Sequence, residues 1–338
     1  MADGRAAQRA LAVIGAATAG VVAFRALRCA AWWAYLRCGP VLADKYKGEY
    51  AIVTGGSEGI GLGIASALAA RGVNLVLISR SDDKLSKAAA HLKAEHPGVA
   101  VVTVAADLTA GGAVGKVTKA LDRAGVRDKC SLLFCNAGGG LTRAALYHEF
   151  SDKEEEAVRK LNGDATYALV REFLPAMRAR GRGYVVCTSS LIVKMPWARL
   201  STYYLEKVKV NGLATVLQAE QDATGSGVGV QAHALGAVVT PALVSFVAPD
   251  AAAAARAGRP AIGWEREYVR PSFLMPSAGD VGEWMLRAMG KGGSAVVTPH
   301  PGHALAEALV SDVALALTWP GCLRRAVARR FAQTWEPK

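Results

Sequence analysis

An α/β fold, a doubly wound parallel sheet with helices on both faces, is what this sequence predicts. Three observations point to it. Short β-branched apolar runs alternate with longer amphipathic stretches from residue 50 onward. Those runs are apolar at successive positions rather than at every second one, as in strands buried on both faces. The first run also leads straight into a glycine-rich turn and then an Ala-rich helical stretch.

In chain order, strands are expected at 50–54, 73–79, 99–106, 131–135, 183–188, 228–235 and 294–298. Helical patterns lie between them at about 60–71, 82–95, 111–124, 152–180, 201–223 and 279–290. No internal repeat or linker interrupts the alternation, so residues 49–302 read as one domain, with 1–48 before it and 303–338 after it. The exception is 244–278, which contains DAAAAARAGRP. An insertion of that length suggests a lid over a substrate rather than a domain boundary.

At 338 residues, 52% hydrophobic and 20% charged, the chain can bury a large core, and a mainly disordered protein is excluded. Its 36 glycines follow no G-X-Y period, which excludes collagen, and six cysteines are too few for a disulfide scaffold. Cys135 and Cys187 sit in apolar runs and read as buried reduced thiols. Without a C-x-x-C pair or H-E-x-x-H, no zinc site is expected. The net charge of +12 is concentrated at the ends, with +4 in residues 1–50 and +4 in 320–338, beside the most apolar segments. That placement suits a membrane surface, and no nucleic-acid module accompanies it.

The turn after the first strand reads Thr54-Gly55-Gly56-Ser57-Glu58-Gly59-Ile60-Gly61. Glycines at 55, 59 and 61 let the backbone turn tightly and approach a pyrophosphate at the following helix N-terminus, as in Rossmann-like dinucleotide sites. The absence of G-K-[ST] argues against a P-loop. The second strand ends Ser79-Arg80-Ser81, with no carboxylate until Asp82. NAD-preferring sites place an acid there for the ribose hydroxyls, whereas Arg80 suits a 2′-phosphate, so NADP(H) is the expected cofactor. A solvated strand-end arginine is the plainer alternative.

The order Thr54-Gly-x-x-x-Gly-x-Gly, Asp107, Asn136-Ala137-Gly138, Tyr203-x-x-x-Lys207 resembles the short-chain dehydrogenase/reductase family over about residues 49–300. Ser190 lies thirteen residues before Tyr203, and Lys207 four after it, on the same helix face. Reducing a ketone needs a hydride on carbon and a proton on oxygen. A phenol of reference pKa ~10 beside an ammonium is suited to deliver that proton. The resemblance implies Tyr203 as general acid, with Ser190 on the substrate oxygen. Lys207 then tunes Tyr203 and holds the nicotinamide ribose, while Asn162 completes a proton-relay water chain. It further implies Asn136, Ala137 and Gly138 around the cofactor, Asp107 with Leu108 at the adenine, and Thr240 at the carboxamide. Three departures stand out. Glu206 replaces a small residue and threatens to pair with Lys207, Leu235 replaces a proline, and Gly138-Gly139-Gly140 loosens the loop after strand four.

Residues 10–24 are fifteen uncharged, mostly apolar residues, short of the ~20 that span a bilayer. The run continues past Arg25 and Arg28, which can snorkel, and Trp32, Trp33 and Tyr35 suit the headgroup region. An uncleaved N-terminal membrane-anchor helix is the expectation. Arg25, Arg28 and Arg37 behind the core, against Arg5 and Arg9 before it, put the domain in the cytosol. Its rivals are a cleaved signal peptide and a helix packed on the protein's own body. The stretch 303–319, with Glu307 and Asp312 inside and Arg324, Arg325, Arg329 and Arg330 after it, is expected to be a C-terminal amphipathic helix. A homodimer interface is its other use.

The apolar N-terminal segment, the Ile78-Ser79-Arg80-Ser81-x-x-Lys84-Leu85 strand end, Pro271–Ser277 and the C-terminal apolar stretch resemble one branch of that family. It holds the membrane-bound very-long-chain 3-oxoacyl-CoA reductases and the 17β-hydroxysteroid dehydrogenases nearest them. The branch implies NADPH-dependent reduction of a long 3-oxoacyl-CoA at the endoplasmic reticulum, beside the other fatty-acid elongation enzymes. An anchored enzyme takes an acyl chain from the bilayer without moving its CH₂ groups through water at ~0.8 kcal/mol each. The chain ends Trp-Glu-Pro-Lys, without a di-lysine retrieval signal. A steroid or retinoid dehydrogenase shares anchor, cofactor and tetrad, so it stays open beside the acyl-CoA reading. A catalytically silent NADP-binding scaffold is the alternative of another class.

Overall fold

The computed structural model describes residues 2–139, 144–194, 196–243, 271–291 and 295–310. Seven strands appear: β1 (Tyr50–Thr54), β2 (Asn74–Ser79), β3 (Val101–Ala105), β4 (Cys130–Cys135), β5 (Gly183–Ser190), β6 (Val228–Leu235) and β7 (Val296–Val297). They form one sheet in the order β3-β2-β1-β4-β5-β6-β7, and every neighbouring pair is parallel. The helices are α1 (Ala2–Cys38), α2 (Gly59–Ala69), α3 (Asp82–Glu95), α4 (Ala113–Arg123), α5 (Asp152–Arg159), α6 (Ala165–Ala179), α7 (Ser201–Thr224), α8 (Ala278–Ala288) and α9 (Pro301–Val310).

Successive strand residues point to opposite faces, and both faces are apolar. Val53, Leu77, Phe134 and Val186 meet α2 and α8 in one core, while Ile52, Val76, Leu133 and Val185 meet α4, α6 and α7 in the other. This two-sided burial explains why the strands read as continuous apolar runs. The chain leaves β1 in one direction and β4 in the other, so a crevice opens between their C-terminal ends.

The strands fall where the sequence puts them, with local differences. β3 starts two residues late because the Asn74 side chain takes the Ala100 N–H at 2.8 Å. The helix expected over 152–180 is interrupted by a π-turn, Lys160–Asp164, between α5 and α6. β7 keeps only two residues of the expected five.

The N-terminal segment departs furthest from expectation. It forms a 37-residue helix, but no described helix is long and apolar enough to cross a membrane. Arg25 and Arg28 cut its apolar run short. Its last turns pack on the domain instead. Leu36 is fully buried against Ala288 and Val297, Trp32 Nε1 donates to Thr298 O at 3.3 Å, and Cys29 Sγ donates to Ala304 O at 3.6 Å. Trp32 therefore serves the body rather than a headgroup layer, whereas Phe24, Leu27, Trp33 and Tyr35 stay exposed. Of the expected lid, residues 244–270 lie outside the described residues, as do Gly140 and the tail 311–338 with its four arginines.

Candidate active site

The crevice is tied together by one side chain at the end of β1. Thr54 Oγ1 donates to Phe134 O at 3.2 Å and accepts from the N–H groups of Asn136 and Ala137, both at 2.8 Å. Asn136 Nδ2 returns a bond to Thr54 O at 3.0 Å. The ends of β1 and β4 are thereby locked, and a cleft forms above them.

The expected cofactor residues gather around this cleft. Gly55, Ser57, Glu58, Gly59 and Ile60 line it from the first turn, and Ser79 and Arg80 from the end of β2. Asp107 and Leu108 follow β3, Asn136, Ala137 and Gly138 follow β4, and Thr240 follows β6. Tyr203 and Lys207, also expected at the cofactor, stand with the catalytic group described below, and three further expected residues do not line the cleft. Thr54 is buried as the tie just described, and Ser81 accepts from Lys84 N–H at 3.3 Å to cap α3. Gly61 lies behind the turn, where a Cβ would stand 2.1 Å from Gly55 O. Only glycine lets α2 approach the turn so closely.

The residues present fit a dinucleotide phosphate. The first turn of α2 has no side-chain cap from Glu58, whose carboxylate pairs with Lys84 at 2.8 Å, so the helix end is left for an anion. Ser57 Oγ donates to Ser79 Oγ at 2.9 Å, joining the turn to the end of β2. Arg80 is exposed and forms no hydrogen bond or ion pair with the described residues. Asp107 accepts from Thr109 N–H at 3.0 Å and from its hydroxyl at 2.8 Å. These bonds, with a smaller pull from Arg80, hold its carboxyl below the usual range. A 2′-phosphate is matched by Arg80, and no acid at the end of β2 opposes it.

Ser190, the last residue of β5, accepts from Ile192 N–H at 3.3 Å, and its hydroxyl lies close enough to Tyr203, in the first turn of α7, to act on its phenol. Burial raises the Tyr203 pKa, and the neighbouring Ser190 hydroxyl lowers it by less. Lys207 Nζ lies 5.4 Å from the Tyr203 ring centre and donates to Thr188 O at 2.9 Å. Burial pushes the ammonium down to about 8, against smaller upward pulls from Cys187 and Glu206. Asn162 sits in the π-turn, fully packed. Its Oδ1 accepts from Gly139 N–H at 3.0 Å, and its Nδ2 donates to Gly139 O at 2.8 Å and Val158 O at 2.9 Å. A Cβ at Gly138 would stand 2.9 Å from Asn162 Oδ1 and 3.3 Å from Lys207 Nζ, so these groups flank one point.

Glu206 does not pair with Lys207. Its Oε1 accepts from Lys209 Nζ at 2.6 Å, and the carboxylate turns toward the π-turn. Leu235 takes the last rung of β6 opposite Ser190, a buried strand position. Thr109, Leu161 and Thr188 were not foreseen at the site. The D-x-T spacing of Asp107 and Thr109 carried a readable signal. Thr188 contributes a main-chain carbonyl, which no side-chain pattern reveals.

Comparison with known proteins agrees with this geometry. The short chain dehydrogenase family matches over residues 49–250. A very-long-chain 3-oxoacyl-CoA reductase of Mycosarcoma maydis is 27% identical over 308 residues, covering 88% of this chain and 80% of that protein. Its Bos taurus counterpart is 32% identical, covering 63% and 68%. A 17-beta-hydroxysteroid dehydrogenase type 3 of Danio rerio is 32% identical but covers only 53% and 57%. Among solved structures, L-sorbose reductase of Gluconobacter frateurii, complexed with NADPH and L-sorbose, is 25% identical. It covers 75% of this chain and 96% of its own, at TM-score 0.63. With the glycine turn, the cleft and the matched family in agreement, the chain belongs to the short-chain dehydrogenase family, as an NADP(H)-dependent oxidoreductase of CH–OH and C=O groups.

Proposed function

We propose that this enzyme reduces a long 3-oxoacyl-CoA to the 3-hydroxyacyl-CoA. The observation that carries the reading is the extent of likeness to the Mycosarcoma reductase. It reaches across 88% of the chain, beyond the part the family match covers. NADPH supplies the hydride. In this reading Tyr203 gives its phenolic proton to the substrate oxygen, and Ser190, beside that phenol, holds the same oxygen as charge develops. Lys207 keeps a positive charge below the Tyr203 ring, which favours proton release. Asn162 fixes the Gly139 backbone and with it the floor between Gly138 and Lys207.

We place the enzyme at the endoplasmic reticulum membrane, its domain on the cytosolic side, among the fatty-acid elongation enzymes. Support comes from the named relatives and from α1. Phe24 and Leu27 are exposed beside Arg25 and Arg28, which suits contact with a lipid surface rather than a span. A homodimer through the apolar groove of α6 and α7, lined by Val170, Leu174, Leu213 and Leu217, fits the same picture.

The Danio relative favours a second reading, a 17-ketosteroid substrate. The test is NADPH oxidation by detergent-solubilised protein with a long 3-oxoacyl-CoA and a 17-ketosteroid side by side, and Tyr203→Phe as control. Turnover of the thioester, lost in Tyr203→Phe, is the expected result. Turnover of the steroid alone transfers the enzyme to the second reading. Silence on both with NADPH still bound leaves a scaffold.

A further inference from the structure

Between β6 and Thr240 runs Gly236-Ala237-Val238-Val239, a segment with no polar side chain of its own. Leu235 leads into it without the fixed φ that a proline supplies, and glycine follows directly. Such a segment wanders unless something outside holds it. Leu235 and Val238 are buried in the core, and two hydrogen-bonded restraints hold the backbone between and beyond them. Val239 N–H donates to Pro276 O at 3.0 Å. The other comes from α9, some sixty residues further along the chain.

His303, in the first turn of α9, is fully buried against Gly236. Gly236 N–H donates to His303 Nδ1 at 3.0 Å, and Nε2 lies 3.1 Å from Ala237 O. Since Nδ1 accepts, the ring proton sits on Nε2 and is donated to Ala237 O. A single neutral imidazole thus grips both a donor and an acceptor on adjacent residues, spanning the 236–237 peptide. Burial lowers its pKa, which keeps the ring neutral as this pairing requires. The fit is tight, for a Cβ at Gly236 would stand 2.7 Å from the ring. One turn further along α9, Glu307 accepts from Lys194 Nζ at 2.7 Å, in the segment that follows Ser190. Thr240 itself stands beside the first turn, with Cγ2 3.4 Å from where a Gly59 Cβ would be.

We propose that His303 is a positioning residue for the nicotinamide end of the cofactor, holding the 236–237 backbone so that Thr240 meets the cleft in a fixed place. The proposal rests on the reading of Thr240 as the nicotinamide-side contact. His303 touches neither cofactor nor substrate and acts through the loop.

The experiment is equilibrium binding to the full-length, detergent-solubilised protein of two probes, NADPH and adenosine 2′,5′-bisphosphate, which carries the 2′-phosphate half without nicotinamide. His303→Phe fills the space and removes both bonds. It is expected to weaken NADPH about tenfold, while the bisphosphate changes by less than about twofold. His303→Asn keeps an acceptor near Nδ1 and should fall between wild type and His303→Phe. Where His303→Phe does not fold, His303→Asn and His303→Gln, each retaining one bond, carry the comparison. Unchanged NADPH binding in folded variants overturns the proposal. So does equal weakening of both probes, which marks a general loss of structure. Thr240→Val separates the two layers: if it leaves NADPH binding intact, the reading of Thr240 fails and His303 does not act through it.

Discussion

A Cβ on Gly163 would stand 2.2 Å from Glu206 Oε2, so the buried carboxylate of α7 fits against the π-turn only because residue 163 has no side chain. The two positions are matched: a large acid where the family favours a small residue, opposite a glycine that makes room for it. Gly163 follows Asn162 directly, so this contact also sets how Asn162 faces Gly139. Gly163→Ala is expected to destabilise the fold by about 1–3 kcal/mol through overpacking and to depress turnover. Adding Glu206→Ser should recover most of both losses. Thermal unfolding and turnover of the two single variants and the double variant make a mutant cycle. Additive losses would show that the two residues do not share this space.

Arg80 is predicted to set cofactor choice. Arg80→Ala should weaken NADPH by about 10- to 100-fold, as loss of a charge-assisted phosphate contact does, and leave NADH within about threefold. Binding titrations with both cofactors read this directly. Equal losses would mean that Arg80 merely sits in solvent at the end of β2.

The sequence disclosed this half of the site well, and for a physical reason. Glycines 55, 59 and 61, Arg80 and Asp107 lie close to their own strand ends, so local pattern reports their placement. The five inner strands were equally plain, because burial on both faces leaves an uninterrupted apolar run. The edge strands β3 and β7 are less buried and kept fewer of their expected residues. What stayed hidden depends on contacts made at a distance. The π-turn at Lys160–Asp164 carries Asn162-Gly163, which weakens a helix locally, but whether the ladder widens or breaks there is decided by packing of Asn162 against Gly139 and Gly163 against Glu206. Nor could composition say that Glu206 would choose Lys209 over Lys207, since both lie within reach on one helix. The N-terminal segment misled because apolar composition alone does not tell a lipid-facing helix from one packed on its own domain.

Lys207 predicts a pH limb. Its ammonium is pushed down to about 8, so it is protonated below that pH and loses its charge above it. The Tyr203 phenol is raised above its ordinary value and remains protonated through the same range. For ketone reduction, kcat/KM should therefore hold level up to about pH 8 and fall beyond it. A profile flat to pH 10 would remove Lys207 charge from the mechanism. Tyr203→Phe should lower turnover at every pH while NADPH is still bound.

The two halves of α1 should respond differently to the same change. Leu36 is fully buried among Ala288, Val297 and the indole rings of Trp32 and Trp284, so Leu36→Ala should cost about 2–5 kcal/mol in unfolding measurements. Leu27, 68% exposed, makes no such contact, and Leu27→Ala should change stability by less than about 0.5 kcal/mol. Its effect belongs instead to the lipid surface. Replacing Phe24 and Leu27 together by Ala should release the protein from membranes washed in high salt, where the charges of Arg25 and Arg28 are screened and only apolar insertion holds. Measured together, unfolding and sedimentation with membranes assign each half of the helix its task. Loss of membrane binding in Leu36→Ala alone would reverse the assignment and make the packed turns the lipid contact.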